Sequence, residues 1–242
     1  LITGAQGAGK TTTLRSIIRF IPAEFTLRVQ ESLPELNLNQ AYPYRNVVEI
    51  QNTVSEDTME NALAVNKSKD KDNRNVNIIG EIGNATQTLY FIQPITTGTA
   101  LFSIGTHHAR TTRELVRSLA NNLLELEVCK TQKEAVEMVA DAVNIDCHLI
   151  EVNGNRYIER ITEIIPNKDK GAEPFAEKDI LRCDAQNVFV TGFSDEMKSK
   201  IVSKLTKAEK EEFLHDIGMC DLISQGKISP EVNMWMEAVL SY

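Results

Sequence analysis

The chain has 242 residues, 42% apolar and 25% charged, a composition that builds a packed core and excludes a disordered chain. Its net charge of −8 and isoelectric point near 5.2 argue against a protein that is basic over its whole surface, as a nucleic-acid translocase can be. No apolar run approaches the ~20 residues that span a bilayer, no secretory signal opens the chain, and Cys129, Cys147, Cys183 and Cys220 lie too far apart to form a Cys-x-x-Cys pair, so they are read as reduced cytoplasmic thiols.

The first stretch, LITGAQGAGKTTTLRSIIRF, sets a bare glycine-rich segment between an apolar start and an apolar-periodic run. Gly4, Gly9, Lys10 and Thr11 fit the phosphate-loop spacing of glycine, four residues, then Gly-Lys-Thr. Gly4, Gly7 and Gly9 let such a loop turn with its N–H groups facing inward, and the helix that follows adds the positive end of its dipole. The spacing therefore implies nucleotide binding by Gly4, Gly7, Ala8, Gly9, Lys10, Thr11 and Thr12. In that role Lys10 reaches the β- and γ-phosphates and Thr11 joins the Mg²⁺ shell, so ATP with Mg²⁺ is the expected ligand. Leu14, Ile17, Ile18 and Ile21 recur at helical spacing until Pro22 stops the run. Only Leu1 and Ile2 precede the loop, whereas a parallel strand runs about five residues, so the sequence reads as a fragment that begins inside a strand.

Further along, FTLRV and NVVEI read as short strands and TMENALAV as a helix. The polar segment NKSKDKDNRN (66 to 75) reads as a solvated surface insertion. From Val76 to Val128 the pattern alternates strand, loop, helix, strand, loop and long helix, as in an α/β core with a parallel sheet. VNIIGE ends an apolar strand in a carboxylate. Because ligands of open α/β sheets sit beyond the carboxyl ends of the strands, Glu81 is expected on the same rim as the phosphate loop, where it either polarises an attacking water or holds Mg²⁺ through water. His107 and His108 adjoin on the next strand, so only one can face that rim. NIDCHLIEVNGNRYIERITEIIP reads as a β-hairpin turning at Asn153-Gly154 on the antiparallel edge of the sheet. Past Pro166 a linker and short amphipathic helices are expected, with Ser194 and Ser229 as caps. The expected organisation is a core over 1–166 and a linker with a helical region over 167–242.

Four of these segments fall in the order seen in the secretion ATPases of type II and type IV systems, including the motors of type IV and Tad pili. GAQGAGKTTTL resembles their phosphate loop, VQESLPEL their acidic box, NIIGEI their Walker B, and GTHHARTTRELVRSL their histidine box; NGNRYIERITEI is similar to the hairpin of the pilus and Tad branch. The resemblance implies a RecA-like fold working as a homo-hexameric ring, with nucleotide between protomers and an N-terminal domain covering it. It also implies a cytoplasmic place against an inner-membrane platform protein, without insertion into the membrane. It makes Glu31, Glu81 and His108 the catalytic candidates, with Glu35 also in the acidic box, and Thr11 and Glu81 the metal candidates. The chain departs from the pattern at Ser32, where aspartate is usual, and at Gly83, where arginine commonly follows Walker B. Arg110, Arg113 and Arg117 are the candidates for an arginine finger.

Three classes of function fit these residues: a secretion or pilus motor, a DNA-handling RecA-type ATPase, and a nucleotide-binding regulator with little turnover. A DNA motor calls for basic loops interleaved with aromatic residues, which the sequence lacks outside its mixed-charge insertion. A regulator would have lost the loop lysine or the carboxylate, and Lys10 and Glu81 are both present. The motor is therefore the favoured reading, and nucleic acid is not an expected partner.

Overall fold

A computed structural model describes residues 1–51, 74–167, 173–183 and 188–202. The helix expected over TMENALAV, most of the polar insertion, Cys220 and everything beyond residue 202 lie outside the described residues. Internal contacts divide the chain into Leu1–Lys178 and Asp179–Tyr242.

The first unit is built on a sheet whose strands are β1 (Ile2–Gly4), β2 (Thr26–Glu31), β3 (Val47–Gln51), β4 (Asn75–Ile79), β5 (Phe102–His107), β6 (Ile145–Val152) and β7 (Asn155–Pro166). Their order is β3-β2-β4-β5-β1-β6-β7. Every neighbouring pair up to β6 is parallel, and only β6 and β7 run antiparallel. Five parallel pairings in succession need covered faces, because crossover connections place helices on both sides.

The helices α1 (Lys10–Ile18), α2 (Leu38–Ala41), α3 (Ala85–Thr96), α4 (Thr112–Glu125) and α5 (Gln132–Ala142) provide that cover. One apolar cluster joins Leu14 and Ile18 of α1 and Leu38 of α2 to Leu27, Val76 and Ile78 of the sheet. A second joins Tyr90, Leu119 and Val139 from α3, α4 and α5 to Ile79. Ile78 and Ile79 belong to different clusters because successive strand residues point to opposite faces. β4 is buried along its whole length, as a central strand must be.

Local chemistry fixes the ends of these elements. Thr111 accepts the Glu114 N–H, and Glu114 reaches back to the Arg110 N–H at 2.9 Å; Thr131 and Glu134 repeat the arrangement before α5. The hairpin turns where expected, with Asn153 and Gly154 at φ 53° and 81°, the two positive angles a tight two-residue turn requires. Asn75, expected in the solvated insertion, instead opens β4 and is buried, its amide donating to the Thr99 carbonyl at 3.3 Å. Cys129, Cys147 and Cys183 are free thiols, and burial pushes the Cys147 thiol up to about 11.

The second unit holds the end of a strand β8 (Phe175–Cys183), whose Leu181–Cys183 pair antiparallel with β9 (Val188–Val190). It also holds a helix α6 (Asp195–Val202) whose first turn is capped by Ser194, the Met197 N–H donating to its hydroxyl at 3.1 Å. These strands stand where the sequence pattern predicts a linker and short helices. Among the described residues, no helix is long and apolar enough to cross a membrane.

Candidate functional site

The parallel sheet brings the carboxyl ends of β1, β4 and β5 to one rim, and the loops leaving those ends line a cavity of about 590 Å³. From the glycine loop come Gly7, Gly9, Lys10, Thr11 and Thr12; from the other two strands come Glu81, Thr106 and His108. A volume of this size suits a ligand in the range of a nucleotide.

Gly4, Gly7 and Gly9 all have positive φ, at 143°, 82° and 93°. A Cβ on Gly4 would stand 2.4 Å from the Leu149 carbonyl oxygen, so that position admits glycine alone. Ala8 is buried and packs with α1 in the core, anchoring the loop's middle. Gly9 caps α1 without a side chain to offer. The first N–H groups of α1 therefore have no capping side chain and no partner within the helix, the usual setting for an anion.

Lys10 is 8% exposed, and its ammonium donates to the Gly4 carbonyl at 3.1 Å and the Ala5 carbonyl at 2.9 Å, with His108 Nδ1 at 3.3 Å. Lysine has only donors, so Nδ1 must accept, and the proton of a neutral His108 sits on Nε2. That nitrogen lies 3.0 Å from Glu81 Oε1. The result is a directed chain: Lys10 donates to His108, and His108 donates to Glu81. Burial lowers the affinity of Lys10 for its proton, while the nearby Glu81 carboxylate acts to keep it.

The backbone beneath Glu81 is braced to β5. The Thr106 hydroxyl donates to the Gly80 carbonyl at 2.7 Å, the Ile82 N–H donates to the Thr106 carbonyl at 2.8 Å, and His107 Nδ1 lies 2.6 Å from the Ile82 carbonyl. A carbonyl only accepts, so His107 carries its proton on Nδ1 and accepts from Ser118 through Nε2, 3.2 Å away. The two adjacent histidines thus face opposite ways. His108 is at the cavity, and His107 is buried under the strand-end loop. Pairing of Thr3 with His107 sets this register, bringing His108 level with the start of the glycine loop. Burial holds His107 below the ordinary imidazole range.

Glu31 is not brought to the cavity. It is buried, and its carboxylate accepts the N–H of Leu36 at 3.1 Å and of Glu35 at 3.3 Å, closing its own loop. Burial raises its pKa against those bonds. Gly80 makes this seat possible, since a Cβ there would stand 2.8 Å from Glu31 Cγ. The carboxylate that the acidic box does place on the cavity wall is Glu35, whose carbonyl is held by the Arg15 guanidinium.

The two departures from the family pattern meet at one side chain. Gln87 donates to the Ser32 hydroxyl at 3.0 Å and accepts the Gly83 N–H at 2.7 Å, so the uncharged pair is joined by an amide that satisfies both. The finger candidates Arg110, Arg113 and Arg117 are all exposed, and Arg113 pairs with Glu177 at 3.2 Å with its guanidinium over the Phe175 ring.

A buried polar cluster behind the loop had no counterpart in the sequence reading. Asp146 of β6 accepts from the hydroxyls of Thr3 at 2.5 Å and Thr112 at 2.8 Å, with Arg160 of β7 at 3.4 Å. It ties the strand that launches the glycine loop to the first residue of α4. Alternation along NIDCHLIEV, with Asp146 and His148 on the inward face, was the available signal.

A solved structure shares this arrangement of elements. The VirB11 ATPase from the Brucella suis type IV secretion system, determined in complex with sulphate, superposes with a TM-score of 0.56 over 66% of this chain. The fold is that of the VirB11 ATPase. The identity is 20%, a likeness that carries the fold, and the match spans 46% of the VirB11 chain. No family model matches the sequence, and no curated protein matches it.

Proposed function

We propose that this protein is the ATP-hydrolysing motor of a secretion or pilus system, of the branch that includes Tad pili. The observation that carries the proposal is the chain from Lys10 through His108 to Glu81, converging on a glycine loop whose N–H groups suit an anion. The residues present fit a nucleotide with Mg²⁺: an ammonium for the phosphates, the Thr11 hydroxyl and Glu81 carboxylate for the metal shell, and a cavity of suitable volume.

In this reading Gly4, Gly7, Ala8, Gly9, Lys10, Thr11 and Thr12 form the phosphate-binding segment. Bound Mg²⁺ would neutralise charge that develops on the phosphates. Glu81 takes a proton from the attacking water, and His108, touching both Lys10 and Glu81, senses the change there and relays it toward α4. Glu31 shapes the acidic loop, leaving Glu35 as the second carboxylate on the wall. Residues 1–166 act as the motor core and 167–242 as an appended region. The protein works as a homo-hexamer on the cytoplasmic side of an inner-membrane platform protein.

Full-length protein supplied with Mg-ATP is expected to release phosphate and to sediment as a six-membered ring. Absence of phosphate release overturns the ATPase assignment, and a single-copy species at saturating nucleotide overturns the ring.

The histidine pair predicts two different failures. His108→Ala is expected to lower turnover strongly while nucleotide affinity stays within a few fold. His107→Ala leaves the Ile82 carbonyl buried without its donor, a loss of about 1–3 kcal/mol of stability. Because burial lowers the His107 pKa, the unfolded chain takes up that proton first on acidification. Stability from the neutral ring is therefore present above pH ~6.5 and lost as pH falls below it. Melting curves at several pH values should show a shallower acid slope for His107→Ala than for the parent. If His107→Ala removes turnover and His108→Ala does not, the assignment is shifted by one residue.

A further inference from the structure

We propose that Arg156, at the tip of the β6–β7 hairpin, is a phosphate-contacting residue that clamps the glycine loop with one end of its guanidinium and grips the nucleotide with the other. The inference rests on the nucleotide reading above and extends it to a residue 149 positions away from the loop it touches.

Arg156 Nε donates to the Gly7 carbonyl at 2.8 Å, in the middle of the loop. Its stem lies across Gly9: a Cβ there would stand 2.8 Å from Arg156 Cδ. Gly9 therefore serves twice, supplying a left-handed backbone and leaving the gap through which the arginine passes. On the partner strand Glu151 is the residue directly opposite Arg156, and its carboxylate lies 3.7 Å from where a Cβ on Gly7 would stand. The hairpin tip is thus fitted to the loop at two points.

Arg156 also lines the cavity together with Lys10, Glu81 and His108. A guanidinium carries five N–H donors, and the contact with Gly7 uses the one on Nε. The four on the terminal nitrogens have no acceptor among the described residues. Lys10 differs, since its three N–H groups already have the Gly4 and Ala5 carbonyls and His108 Nδ1 as neighbours. A polyphosphate entering the cavity gains bonds from Lys10 only by displacing one of these, whereas Arg156 offers a planar fork suited to phosphate oxygens. As a purely structural bond, an exposed arginine on a surface carbonyl contributes little. That argues for a ligand role.

The test is titration of the full-length protein with Mg-ATP, using Arg156→Gln, Arg156→Lys and, as a control for lost surface charge, Arg19→Gln at the exposed end of α1. Parent and Arg19→Gln are expected to bind alike. Arg156→Gln is expected to weaken binding about tenfold, as for loss of a hydrogen bond to a charged group. Arg156→Lys should fall between, keeping the charge but losing the fork and the Nε bond. Melting temperatures without nucleotide should match for all four proteins, so that weaker binding is not lost folding. If the parent binds Mg-ATP and Arg156→Gln binds it equally, the inference is overturned while the nucleotide reading stands. If Arg156→Lys restores full affinity, charge alone suffices and the fork is overturned. If the parent itself binds none, the nucleotide reading falls, and this inference falls with it.

Discussion

Lys10→Ala is expected to abolish measurable ATP turnover, a loss of at least about 10²–10³ in rate, the scale seen when a single preorganised donor to a developing charge is removed. The ammonium is nearly buried and lies against the Gly4 and Ala5 carbonyls, so its charge acts at short range on whatever the loop binds. Alanine also deprives His108 Nδ1 of its neighbour, which frees the imidazole from its tautomer and breaks the path to Glu81. Phosphate release and nucleotide affinity measured together decide the matter, and an unchanged rate would sink the ATPase assignment.

The second large effect is expected from Glu81→Gln: nucleotide retained, hydrolysis slowed by about two to four orders of magnitude, the usual range for a lost general base. The amide keeps the shape and can still accept from His108 Nε2, and the bonds that brace Gly80 and Ile82 involve no atom of the side chain. What it cannot do is take a proton. A variant that loses ATP binding without a change in bound-state turnover would make Glu81 chiefly a metal-site residue. In that event Glu35 is the remaining carboxylate on the cavity wall, since Glu31 is engaged with the Leu36 and Glu35 amides.

The features legible in the sequence were those whose determinants are local. The glycine loop, its helix and the Asn153-Gly154 turn each depend on a few neighbouring residues that require particular backbone angles, and they stand where the pattern placed them. The arrival of Glu81 at the loop followed from a rule about parallel sheets. Alternation alone showed that the two histidines face opposite ways; the resemblance pointed to His108, and the register of β5 against β1 brings that residue level with the glycine loop. The fate of Glu31 was hidden because it depends on Gly80, the residue just past β4, which leaves space for the carboxylate. Arg156 was hidden for a similar reason, as its partner is a carbonyl at the opposite end of the core. The helix α5 carries a Thr131–Glu134 cap that is local in sequence, but its buried apolar positions are fewer than those of the longer run before it.

The brace under Glu81 gives the site two parts of unequal stiffness. Three hydrogen bonds to the end of β5 make the backbone on either side of Glu81 a property of the sheet, and displacing that backbone requires a local opening at a buried strand end. The exposed side chains of Glu81, His108 and Arg156 reach the cavity on bonds that turn at far smaller cost. Successive ligands of different charge would therefore be met by rearrangement of the side chains around the cavity, with the backbone at Glu81 as the fixed reference against which that rearrangement is made.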